Sequence, residues 1–135
     1  MWYYDSELYD EAPKEYIGFV YLITDLTANK KYVGKKLFWN TRKLKPLKGK
    51  ARRRIQVVES DWKTYYGSNE ELQQLVENSN ENRFERIILH LCNKKGEMSY
   101  LEAREQFDRN VLLSDEYYNN FIGCKIHGKH VAGLR

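Results

Sequence analysis

The chain has 135 residues, 41% of them hydrophobic and 31% charged, which suits one domain with its own core. Two distant cysteines, Cys92 and Cys124, are too few for a disulfide scaffold. No apolar run approaches the roughly eighteen residues of a membrane span. The acidic, aromatic start MWYYDSELYDEAP does not read as a secretory signal, so a cytoplasmic protein with free thiols is expected. The net charge of +4 is unevenly spread. Residues 42–54, RKLKPLKGKARRR, hold eight Lys/Arg and no acid, and without them 15 basic residues face 19 acidic ones. All the positive excess sits in one segment, and the common polyanion that such a segment meets is nucleic acid.

Residues 1–13 read as an N-terminal arm that ends at Pro13. Ile17–Thr24, rich in aromatic and β-branched residues, predicts a strand. Asp25–Asn29 has turn chemistry, and a second strand around Lys31–Val33 completes an antiparallel hairpin. Leu37–Arg42 reads as either a short helix or a loop. Pro46, Gly49 and the repulsion of like charges predict an extended, mobile basic loop over 42–54, followed by a short extended piece at Arg54–Glu59. In SDWKTYYGS, Trp62 is assigned to the core, and Tyr65 or Tyr66 offers a ring for stacking on bases. Ser68 and Glu71 form a capping-box pattern that opens a helix over about 69–77, and 78–82 is a polar linker.

Phe84–Cys92, FERIILHLC, is the clearest buried strand, with His90 at the edge of the core. NKKGE reads as a turn. Ser99–Leu113 reads as a helix, with Tyr100, Ala103, Phe107 and Val111 on one stripe. The remaining residues mix aromatics, glycine and base, and end in a basic tail over 123–135. Cys124, His127 and His130 there lack a fourth ligand for zinc. The order strand, strand, helix, strand, helix predicts a single mixed α/β (α+β) domain, a small antiparallel sheet flanked by helices.

Two tyrosines, Tyr21 and Tyr32, lie eleven positions apart on the paired strands. Their hydroxyls share one face if the turn or a bulge alters the phase. Gly34 removes a side chain where a ligand or another backbone comes close, Lys35 and Lys36 put charge beside the gap, and Arg42 follows Tyr32 by ten positions. Taken singly, these are ordinary strand tyrosines, a turn glycine and a member of a basic run.

Phe19-Val20-Tyr21 and Tyr32-Val33-Gly34 resemble the paired signature of the GIY-YIG nucleases. The resemblance extends to an arginine after the second motif (Arg42), a glutamate on a later helix (Glu102) and an asparagine near the domain end (Asn119), and so covers about residues 17–122. Phe19 stands where the family's first glycine would be, Gly18 is one place early, and valine replaces isoleucine at 20 and 33. The basic excursion and WKTYYGS resemble elaborations of phage-type stand-alone members.

The resemblance implies a metal-dependent endonuclease acting on DNA in a prokaryotic or phage-infected cell, with Mg²⁺ or Mn²⁺ as cofactor. It makes Tyr21 or Tyr32 the base or water-orienting group and has Arg42 hold the scissile phosphate. Glu102 then anchors the metal, and Asn119 fixes the geometry of the site. Chemically this is coherent. A divalent ion with oxygen ligands needs few carboxylates, arginine forks onto phosphate, and a phenol serves as base where cations such as Lys35, Lys36 and Arg42 lower its pKa. Lys35, Lys36, Lys43, Arg52, Arg53 and Arg54 are the expected grips on the nucleic-acid backbone.

Alternatives stay open at three points. Ser99 to Glu102 is itself a capping box, and Glu105 rivals Glu102 as the metal ligand; Asn120 rivals Asn119. In 135 residues no separate DNA-binding domain fits, so selectivity comes from the catalytic domain, from a homodimer or from a partner. The rival functions are an impaired nucleic-acid-binding module on the same scaffold and a basic domain for an acidic protein.

Overall fold

The computed structural model describes residues 1–134. Its elements are β1 (Trp2–Tyr4), β2 (Glu7–Tyr9), β3 (Gly18–Asp25), β4 (Lys30–Leu37), β5 (Trp39–Leu44), β6 (Arg54–Glu59), α1 (Glu70–Glu77), β7 (Phe84–Cys92) and α2 (Lys95–Asp108). Short 3₁₀ turns accompany them at Trp62–Thr64, Glu81–Arg83 and Gly128–Leu134.

Five strands form one sheet in the order β2-β1-β7-β3-β4, and β5 and β6 form a separate two-stranded ribbon. The pair β3–β4 is antiparallel, as the hairpin signal implied, and β7–β3 is antiparallel too. Strand β1 instead pairs parallel with β7, so the sheet is mixed. The arm is therefore part of the fold. Trp2 is 2% exposed, and its indole N–H donates to the Trp62 carbonyl at 2.7 Å. Trp2, Phe19, Tyr21, Phe38 and Trp62 are the aromatic heart of one core cluster, on the face that α1 covers. Val20, Val33, Cys92, Met98 and Val111 form the second cluster, under α2 on the opposite face.

The structure corrects three expectations. Leu37–Arg42 is neither helix nor loop. After buried Phe38 the chain re-enters extended structure, and Trp39 to Leu44 pair in register with Glu59 to Arg54. The basic run is thus half ribbon, and only residues 45–53 loop out. The β-branched Thr41, Ile55, Val57 and Val58 favour this pairing over the mobile excursion that charge repulsion suggested.

Secondly, α1 is capped by Asn69, whose side chain accepts from the Leu72 N–H at 3.0 Å; Ser68 lies outside the helix. Thirdly, α2 starts at Lys95, inside the expected NKKGE turn, and ends at Asp108. Asn110, at φ 53°, ends it: its N–H donates to the Phe107 carbonyl, and the Val111 N–H donates to that of Gln106, a Schellman closure. The buried face of α2 carries Met98, Ala103 and Gln106, while Phe107 is 60% exposed. Of the expected stripe, Ala103 and Val111 point inward and Phe107 does not.

Candidate active site

The two phenols share a face because of the turn alone. The ladder sets Tyr21 opposite Gly34 and Tyr32 opposite Ile23, closed by the Asp25–Lys30 pair around residues 26–29. Asn29 adopts a φ of 52° there. A bulge does occur beside Tyr21, but between β3 and β7, where Leu89 is the extra residue.

Glu102 arrives from the other layer, on α2. The layers meet because β4 is the edge strand and Gly34 leaves a gap in it. A Cβ at Gly34 would collide with the Tyr21 phenol, so the Tyr21 hydroxyl lies over the glycine backbone. A cleft of about 650 Å³ wraps this edge. Tyr21, Tyr32 and Ser68 line it from one face, and Lys35, Glu102 and Gln106 from the other. Phe19, at the family's glycine place, is fully buried against Phe38 and Trp62. Gly18 makes the close approach instead: a Cβ there would lie 2.6 Å from the Lys36 carbonyl oxygen.

Ser99 lies in the second turn of α2, so no capping box ties Glu102 to the helix start. The Ser99 hydroxyl accepts from Lys35 Nζ at 2.9 Å, and the same ammonium is 3.9 Å from Glu102 Oε1. Glu102's side chain is 13% exposed. Burial raises its pKa, and the Lys35 charge offsets this only in part.

Glu105 has different surroundings. Burial pushes its carboxyl upward, but Arg109 Nε and His90 Nε2, both at 2.9 Å, outweigh that and hold it below the usual range. Glu105 does not line the cleft.

Burial, then the neighbouring phenols of Tyr65 and Tyr32, push the Tyr21 hydroxyl well above its ordinary range. This reverses the expectation that cations lower it. Lys36 points at Asp61, 2.6 Å away, and its ammonium lies 4.2 Å from the centre of the Tyr65 ring. Tyr32 shares a hydrogen bond of 3.0 Å with the Ser68 hydroxyl. Gly67, at φ 91°, lets the YYGS segment lie against the Tyr32 ring. Trp62 is in the core as expected, and Tyr65 and Tyr66 are half-buried.

Asn119 takes the place of a strand on the open edge of β4. Its Oδ1 accepts from the Val33 N–H at 3.0 Å, and its Nδ2 donates to the Val33 carbonyl at 2.8 Å. Upstream, Lys31 exchanges backbone hydrogen bonds with Glu116 and Tyr118. Asn120 also lines the cleft but is exposed. The segment is anchored by Asp25, which accepts from the Tyr118 hydroxyl at 2.7 Å and from Nε and Nη2 of Arg83.

Gln106, which sequence reasoning missed, donates to the Val33 carbonyl at 3.1 Å, while its buried Oε1 has no partner among the described residues. Its signal was present: it lies four residues after Glu102, on the same helical face.

The structure does not bring Arg42 into the cleft. It is exposed on β5, opposite Gln56. Lys43, Arg52, Arg53 and Arg54 are likewise exposed on the ribbon and its loop. Among the described residues no three His, Cys, Asp or Glu side chains gather closely enough to hold a metal by themselves. Nor is any described helix long and apolar enough to cross a membrane.

An edge-strand cleft lined by two hairpin phenols and a helix glutamate fits the family that the paired motifs resemble. The family described as "Putative endonuclease segE, GIY-YIG domain" matches residues 2–122, and the chain belongs to it. Members of that family are endonucleases and generally use divalent metals. No curated protein and no solved structure matches the chain significantly.

Proposed function

We propose that the protein hydrolyses DNA phosphodiester bonds in the cleft around Gly34, with a divalent metal ion. The observation that carries this reading is the meeting of Tyr21, Tyr32 and Glu102 at one gap in an edge strand, although they come from opposite faces of the sheet.

The donor set suits a hard ion. Glu102 and the unpartnered Oε1 of Gln106 are oxygen ligands one helical turn apart, and magnesium keeps most of its water. Glu102 would hold the ion directly and Gln106 would hold it through water; when bound, the ion supplies charge stabilisation at phosphorus and lowers the pKa of water. Tyr21, protonated at neutral pH, orients the attacking water through its hydroxyl oxygen. Tyr32 and Ser68 hold the phosphate from the α1 side. Lys35 neutralises charge on a phosphate oxygen, and Asn119 and Gln106 keep β4 in place. Arg42, Lys43, Arg52 and Arg53 bind DNA beyond the cleft.

A second reading, a nucleic-acid-binding module without cleavage, is favoured by one observation: among the described residues no arginine lines the cleft. Nicking of supercoiled plasmid separates the two. Cleavage that needs Mg²⁺ or Mn²⁺, stops with EDTA and is lost in Glu102→Ala and Tyr21→Phe supports hydrolysis. Salt-sensitive binding without any nicking in either metal overturns it.

A further inference from the structure

The β5–β6 ribbon has two unlike faces. Side chains alternate along each strand, and the register places Asn40, Arg42 and Leu44 beside Val58, Gln56 and Arg54. Trp39, Thr41 and Lys43 lie on the other face with Glu59, Val57 and Ile55. At the ribbon's root Trp39, Thr41 and Val57 of the second face, and Asn40 of the first, line an apolar depression with Ile17 and Leu37. Beyond that root both faces are exposed, with Ile55 at 69% and Val57 at 60% on the second; the first is the one that presents exposed polar side chains in a row, Asn40, Arg42 and Gln56.

These three residue types share a property that a plain phosphate grip does not need. Arginine bridges the O6 and N7 acceptors of guanine, and asparagine and glutamine bridge N6 and N7 of adenine. Arg42 and Gln56 are directly opposed, and Asn40 is two residues along the same strand. Arg54, on the same face, is engaged differently, donating to the Lys45 carbonyl at 3.4 Å and closing the ribbon's outer end. The loop beyond carries Lys45, Lys48, Lys50, Arg52 and Arg53, a set suited to phosphates.

The ribbon also continues from the cleft. Lys35 lines both the cleft and a second depression that runs past Lys36 and Lys95 to Asn40. A two-stranded ribbon is a shape that the B-DNA major groove admits. We infer that β5–β6 enters the major groove beside the cut site and that Arg42, Gln56 and Asn40 read about two to four base pairs there. This rests on the nuclease reading only for its biological use, because base selection is measured without cleavage.

The test is selection of bound duplexes from a randomised DNA library by the full chain carrying Glu102→Gln, in buffer with EDTA. The expected result is a short motif containing guanine and adjacent adenine. Arg42→Lys keeps the charge but loses the fork, and should flatten the guanine position. Gln56→Ala should flatten an adenine position. Arg52→Ala with Arg53→Ala should weaken binding evenly across sequences and reduce the salt slope by about two, leaving the motif unchanged.

A library that emerges unselected overturns the inference, as does a motif unaltered by both Arg42→Lys and Gln56→Ala. Tighter binding to duplex RNA, whose deep major groove excludes a ribbon, also overturns it. Nicking by the wild-type chain, measured separately, reports on the nuclease reading alone.

Discussion

Tyr21 and Gly34 face each other across the β3–β4 ladder, and the phenol occupies the space that a side chain at position 34 would take. Tyr21 is 1% exposed, so the ring cannot swing aside without disturbing the aromatic cluster around it. Gly34→Ala is therefore expected to destabilise the protein by about 1–3 kcal/mol. It should also displace the Tyr21 hydroxyl and depress nicking more than the stability loss alone would. Urea unfolding and plasmid nicking, measured well below the midpoint, check both parts. An unchanged midpoint would mean that the cleft is roomier than the ladder implies.

Glu102 should trade stability against activity. Its folded-state pKa is raised by burial, so the charged form costs stability once pH exceeds that value, and this cost vanishes below the unfolded pKa. Without metal, Glu102→Gln should raise the melting temperature at pH 7, with the difference disappearing near pH 4. The same variant should lose nicking by roughly 10²-fold or more. Melting curves at the two pH values in EDTA decide the first part; a lower melting temperature at pH 7 would show that the Lys35 contact outweighs burial.

Asp25 behaves in the opposite sense. Burial opposes its ionisation, but Arg83, Tyr118 and the Ala28 N–H outweigh burial and bring its pKa down from 3.8 to about 2. Its contribution is present above the unfolded pKa and fades as pH falls through about 4 to 2. It amounts to about 2 kcal/mol. Asp25→Asn should lose this stability at pH 7 and remove much of the acid sensitivity. Urea midpoints between pH 7 and pH 2 measure it.

Asn119→Ala should leave the buried Val33 N–H without a partner, at a cost of about 1–3 kcal/mol. The local signature is faster hydrogen exchange at the Val33 amide, with the β3–β7 amides unchanged. Nicking should fall too, because the β4 edge beside Gly34 loses its support. If Val33 stays protected in the variant, Asn119 does not hold that edge.

Much of the candidate site was legible because its residues are covalently close to strong local signals. Tyr21, Tyr32 and Gly34 lie in a hairpin whose turn chemistry and β-branched runs can be read locally. Glu102 could be named from the resemblance but not separated from Glu105 by spacing alone. The hydrogen bond of Glu105 to His90 and its ion pair with Arg109 come from a neighbouring strand and the helix end, which no local pattern reveals. The stripe on α2 misled for a related reason. The helix turns Gln106 inward and Phe107 outward, against hydrophobicity, in order to reach Val33 and the cleft.

The amino-acid order by itself determined the hairpin, its paired phenols, the strand at 84–92 and the concentration of positive charge in one segment. Those features follow from side-chain alternation, turn residues and charge, which act over a few neighbours. Tertiary structure alone decided that groups from opposite faces meet around an edge strand, that the basic run folds into a ribbon, and that Arg42 stands on it outside the cleft. The reason is that strand order and burial depend on contacts between residues far apart in the chain. The 86 positions between Val33 and Asn119 are closed by packing, and no short pattern carries that information.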